Sequence, residues 1–103
     1  MKPRYEKECI QLGELANEAL NLPKNVNKPR FESLQLREIF KLLDNEVLEL
    51  KDEFFTGFIK IDNIRENLEF ECIINELSDV LACCAGLLAK INTLKQIQQY
   101  DGA

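Results

Sequence analysis

Eighteen consecutive residues, Cys72 to Ala89, contain only two charged side chains, Glu76 and Asp79. A surface helix spreads charge over its solvent face, so a segment this apolar is expected to be surrounded by protein. Phe70, Ile73, Ile74, Leu77, Val80, Leu81, Cys84, Leu87, Leu88 and Ile91 recur at helical spacing through it. Glu76 and Asp79 are three apart and share one face of that helix. A carboxylate in such surroundings is costly unless it is protonated, hydrogen-bonded or bound to a cation, and two together raise the cost.

Two further segments carry a helical pattern. Arg4 to about Leu20 places Cys9, Ile10, Leu12, Leu15, Ala16, Ala19 and Leu20 on one side. Residues 21–29, with two prolines and three asparagines, read as a loop. A second helix is expected from Pro29 or Arg30 to Phe55, with Phe31, Leu34, Ile39, Leu42, Leu43, Val47, Leu50 and Phe54 as its apolar positions. Thr56-Gly57 reads as its end, Phe58 to Ile61 as a connector, and Asn63 with Glu66 as a capping box opening the third helix. That helix is expected to end or bend near Asn92, with Thr93 to Tyr100 frayed or forming a short fourth helix.

No strand alternation is sustained, so the expected class is all-α. The expected architecture is one domain over residues 1–103: an antiparallel bundle of two long helices plus a short N-terminal helix. A chain of 103 residues buries a modest core. Partner helices would complete it, which favours a homodimer or homotetramer.

Bulk chemistry narrows the function. A net charge of −5 argues against nucleic acid or an anionic membrane as partner. The absence of His removes Ser-His-Asp and Cys-His triads and His-ligated zinc or iron sites. Cys9, Cys72, Cys83 and Cys84 form no C-x-x-C, and no signal-peptide pattern opens the chain, so the expected setting is cytoplasmic, with thiols free. Acids interrupt the apolar run, and no membrane span is expected.

The second helix supplies a match for the acidic pair. Glu46 and Glu49 are three apart, and Glu53 lies about 20° from Glu46 in projection. In an antiparallel packing, Glu46/Glu49 and Glu76/Asp79 can face each other. Four oxygen ligands suit a hard ion such as Mg²⁺, with Mn²⁺ as the second choice. The plain alternative for Glu46 and Glu49 is a solvated face within the acid-rich run LDNEVLELKDE; Glu53 is either a further ligand or exposed. Cys72, Glu76, Asp79 and Cys83 also share a face, but they span about 16 Å, too far for one ion. Without the four proposed ligands the balance is 14 acids against 13 bases, so the acidity is mostly that of one site.

Glu46-Val-Leu-Glu49, then 26 residues, then Glu76-Leu-Ser-Asp79, resembles the E-x-x-E … E-x-x-D signature of the MazG-like all-α nucleoside triphosphate pyrophosphohydrolases. This superfamily includes dimeric dUTPases, dCTP pyrophosphatases and phosphoribosyl-ATP pyrophosphohydrolases. NELSDVLACCAGLLAKI resembles its second motif helix, and EALNLPKNVNKPRF its helix–loop–helix entry; the likeness covers about residues 15 to 92. The resemblance implies Mg²⁺-dependent cleavage of an NTP or dNTP between the α and β phosphates, giving a monophosphate and pyrophosphate. By position it implies Glu46, Glu49, Glu76 and Asp79 as metal ligands, with Glu46 or Glu49 taking the proton of the attacking water. Lys90, three turns past Asp79 on the same face, is a candidate for substrate phosphate, in its own or a neighbouring subunit, or a favourable helix end. Lys41, Lys51, Lys60 and Arg65 are further cation candidates, and Phe31, Phe54, Phe55 and Phe58 are candidates for stacking on a base or for the core. Gly86, on the face of Asp79, is expected to permit close packing. An S-Y-T-type segment is missing, which disfavours phosphoribosyl-ATP. The alternative is a non-catalytic helical interaction module, including a degenerate relative of the family.

Overall fold

The computed structural model describes the backbone of residues 4–63 and 70–101, and side chains within 4–55 and 70–98. The described residues form helices and turns, with no strand. In chain order these are α1 (Glu6–Leu20), α2 (Pro23–Val26), a 3-10 turn (Phe31–Ser33), α3 (Leu36–Asn63) and α4 (Phe70–Asp101). The class is all-α, as the periodicity implied.

α1 ends where the asparagines begin. The Asn21 amide donates to the Asn17 carbonyl at 2.7 Å, and the Asn25 amide to the Ala19 carbonyl at 2.7 Å. Both satisfy carbonyls that the last turn of a helix leaves open. The expected loop therefore contains one helical turn, α2, with Pro23 at its start where a missing N–H costs nothing.

The second helix begins later than Pro29 suggests. Arg30 is extended, and its carbonyl accepts from both the Ser33 hydroxyl (2.6 Å) and the Ser33 backbone N–H (3.0 Å). Leu34 is extended again, and the helical ladder starts only when the Glu38 and Ile39 N–H groups reach the Gln35 carbonyl. At its other end α3 runs through Thr56-Gly57 and the supposed connector to Asn63. An interior glycine costs a helix only about 1 kcal/mol, which the continuing ladder absorbs. The expected capping box of Asn63 and Glu66 lies outside the described residues. α4 likewise passes Asn92 unbroken; Thr93, just beyond it, bonds back to the Ala89 carbonyl at 3.1 Å.

α3 and α4 pack on each other, and α1 and the 3-10 turn pack on α4. Glu53 acts on Glu76, whereas Glu46 acts on Cys83 and is acted on by Asp79, so the two long helices run antiparallel. The core is thin: Ala19, Ile39, Ala82 and Cys83 are its buried apolar residues among those described. Buried Ser78 satisfies its hydroxyl on the Ile74 carbonyl at 2.8 Å.

A radius of gyration of 16.9 Å compares with about 13 Å for a compact chain of this length. Much apolar surface stays uncovered: Leu48 and Phe55 on α3, and Leu88, Ile91, Leu94 and Ile97 on α4. The chain alone therefore does not surround α4, the helix expected to be surrounded by protein. By length and composition alone, Phe70–Gln98 is long and apolar enough to cross a membrane despite its acids, a test that the core helix of a soluble protein also passes.

Candidate metal centre

Packing α3 against α4 brings Glu46, Glu49 and Glu76 together. One carboxylate oxygen from each lies within 4.8 Å of the other two. Glu46 and Glu76 are half-buried and Glu49 is exposed at the rim. Oε2 of Glu46 and Oε2 of Glu76 are buried with no hydrogen-bond partner.

Such atoms carry a solvation cost that nothing in the chain offsets. It shows in their protonation. Burial, then the charges of Glu49 and Asp79, a hydrogen bond with Glu49 and the charge of Glu76 push the Glu46 carboxyl up to about 7. Burial raises Glu76 as well, followed by the charges of Asp79, Glu49 and Glu53, while the Lys24 ammonium pulls the other way. Cys83 lies on the same face of α4. Burial and the charges of Glu46, Cys84 and Asp79 raise its thiol to about 11, with Lys28 opposing. This thiol is therefore a packing group at neutral pH.

Two oxygens on one Mg²⁺ stand at most about 4.2 Å apart, and Mn²⁺ is similar in its demand for oxygen. The 4.8 Å bound on the group exceeds that by about 0.6 Å, so the carboxylates would close slightly on a shared ion. Two orphaned oxygens and three carboxylates, none of them in an ion pair among the described residues, make the residues a fit for such an ion.

No family model, curated protein or solved structure matches this chain. The site therefore rests on its own geometry.

The other sequence candidates fall as follows. Asp79, half-buried, is outside the group of three, but its charge acts on Glu46, Glu76 and Cys83. Glu53, half-buried, acts on Glu76. The Lys90 ammonium donates to the Glu32 carbonyl at 3.0 Å, tying the 3-10 turn to α4. It does not end the helix, which continues to Asp101. Phe31 lies flat against Gly86, where an added Cβ would overlap its ring. Gly86 thus admits Phe31 and not a neighbouring helix backbone. Phe54 and Phe55 form an edge-to-face pair with centroids 5.9 Å apart. With Leu50, Lys51, Ile73 and Leu77 they line an open apolar depression of about 500 Å³. The side chains of Phe58, Lys60 and Arg65 lie outside the described residues. Sequence reasoning missed Lys24 and Lys28, because no helical period connects a loop lysine to a carboxylate 50 residues away.

Proposed function

We propose that the protein is a Mg²⁺-dependent nucleoside triphosphate pyrophosphohydrolase, with Mn²⁺ as an alternative ion, cleaving a (d)NTP between the α and β phosphates. The observation that supports this reading most is the meeting of Glu46, Glu49 and Glu76, with two of their oxygens buried and unpartnered. The E-x-x-E … E-x-x-D resemblance agrees with it. Glu46, Glu49 and Glu76 would hold the ion, with Asp79 completing the shell. When bound, the ion supplies charge neutralisation for the triphosphate and a more acidic water.

The chain's own groups supply the rest. Glu46 or Glu49 orients the attacking water and takes up its proton, as the resemblance implies; no side-chain nucleophile is needed. The depression bounded by Phe54 and Phe55 is lined by α3 and α4, the two helices that carry the carboxylates, and would offer an apolar wall to a base. The exposed apolar residues of α3 and α4 support a homodimer or homotetramer, which would cover them. The same exposed surface favours the second reading, a helical interaction module without catalysis.

A panel of NTPs and dNTPs with Mg²⁺ and pyrophosphate detection separates the two. The enzyme reading expects release that is lost in EDTA and in Glu49→Gln or Asp79→Asn. Full activity in those variants contradicts the metal assignment; no release from any nucleotide, and no change of Tm with Mg²⁺ and nucleotide analogues, supports the module.

A further inference from the structure

The two long helices carry a second apolar face, left open among the described residues. On α3, Leu36, Phe40, Leu43, Val47, Leu50 and Phe54 step alternately by four and three residues. On α4, Ile74, Leu77, Leu81, Cys84, Leu88 and Ile91 step by three and four. None of these side chains is buried, whereas Ile39, Ala82 and Cys83 are. The two series share one side of the hairpin, because Leu50 and Phe54 of the first and Leu77 of the second line the same depression. That side is turned away from the remaining contacts. At ~100° per residue, Leu88 is about 160° from Gly86, where Phe31 seats, and Val47 is about 160° from Glu49 of the carboxylate group.

We propose that a second copy of the chain docks on this face, series against series, in a bundle of four helices that closes the open side of the depression. The proposal deepens the homo-oligomer put forward above and rests on that part of the reading alone; it requires no metal. Knobs-into-holes packing asks for an alternating step of three and four on both partners, and this hairpin carries that step on both of its helices. A lipid surface asks for no such spacing. Charge permits a copy, since neither series contains a carboxylate or an ammonium and the carboxylate group, which would repel its counterpart, faces elsewhere. The area suffices as well. At about 200 Å² for a large apolar side chain, the uncovered parts of the two series come to on the order of 800 Å², one partner's share of a standard interface.

The test is sedimentation equilibrium of the full chain with Phe40→Glu, Leu81→Glu and, as control, Ile10→Glu on α1, a residue at least as exposed as Phe40 and off the face. The wild type is expected at twice or four times the chain mass, both face variants at a single chain mass, and Ile10→Glu unchanged. Alkylation of the wild type by iodoacetamide gives a second reading that does not depend on any variant folding. In the oligomer Cys84, inside its series, reacts more slowly than Cys9; in protein diluted to monomer the two react alike. Face variants that keep the wild-type mass, or Cys84 as reactive as Cys9 in the oligomer, refute this face and leave the oligomer standing. A wild type that is monomeric at every concentration refutes the oligomer and the face together. The expected masses without turnover of any nucleotide keep the face and refute only the enzymatic reading.

Discussion

Replacing Glu46 with Gln is expected to stabilise the metal-free protein at pH 8 and to leave it unchanged at pH 5. The folded carboxyl is raised from 4.5 to about 7. Between those values the folded state holds a proton that the unfolded chain has released. Its contribution is therefore fully present below about pH 4.5 and is lost as pH rises through about 7. At ~1.4 kcal/mol per pK unit the ceiling is about 3 kcal/mol, and solvent screening of a half-buried group reduces it to about 1–2 kcal/mol. Glu76 is shifted in the same direction and adds to the trend. Gln keeps the shape and gives Glu49 a neutral donor in place of the shared proton. For a domain of this size, 1–2 kcal/mol corresponds to a Tm gain of roughly 5–10 °C at pH 8. Thermal melts by circular dichroism at pH 5, 6, 7 and 8 in EDTA read this directly. Saturating Mg²⁺ should raise the Tm of the wild type at pH 8 and leave Glu46→Gln nearly unmoved. An equal offset between wild type and variant at every pH, or a variant less stable at pH 8, refutes the account of Glu46 as an uncompensated carboxylate.

Three further outcomes follow from the packing. Gly86→Ala should destabilise by about 1–3 kcal/mol in denaturant unfolding, because its Cβ overlaps the Phe31 ring; a gain of about 1 kcal/mol from helix propensity alone would refute that contact. Exposed Cys9 and Cys84 should react with iodoacetamide at pH 8 well before buried Cys83, whose thiol is raised to about 11; mass spectrometry of the alkylated peptides reads the order, and early labelling of Cys83 contradicts its burial. Light scattering should give a dimer or tetramer that Leu88→Lys/Ile91→Lys dissociates, whereas a monomeric wild type contradicts partner helices as the cover for α4.

How far the chain could be read in advance depended on which force fixed each feature. The α3–α4 frame was legible because burial writes a helical period into Ile39, Leu43, Val47 and Leu50 and into Ile73, Leu77, Val80 and Leu81. The meeting of Glu46, Glu49 and Glu76 followed from the same period, once two helices with acids three apart were packed antiparallel. The ends of α3 were not legible. Pro29 is a good first-turn residue, but the Ser33 hydroxyl and backbone compete for the Arg30 carbonyl and delay the helix to Leu36. Gly57 signals a stop only where a left-handed residue is required, and no described glycine adopts positive φ. The partner of Lys90, a backbone carbonyl 58 residues away, carries no trace in residue type.

The most direct test of the central claim is hydrolysis of a dNTP and NTP panel with Mg²⁺ in ¹⁸O-labelled water, with products resolved by mass spectrometry. Attack at the α-phosphorus predicts one ¹⁸O in the nucleoside monophosphate and none in the pyrophosphate, with turnover absent in Glu49→Gln. Label in pyrophosphate, release of orthophosphate, or no turnover of any nucleotide would contradict it.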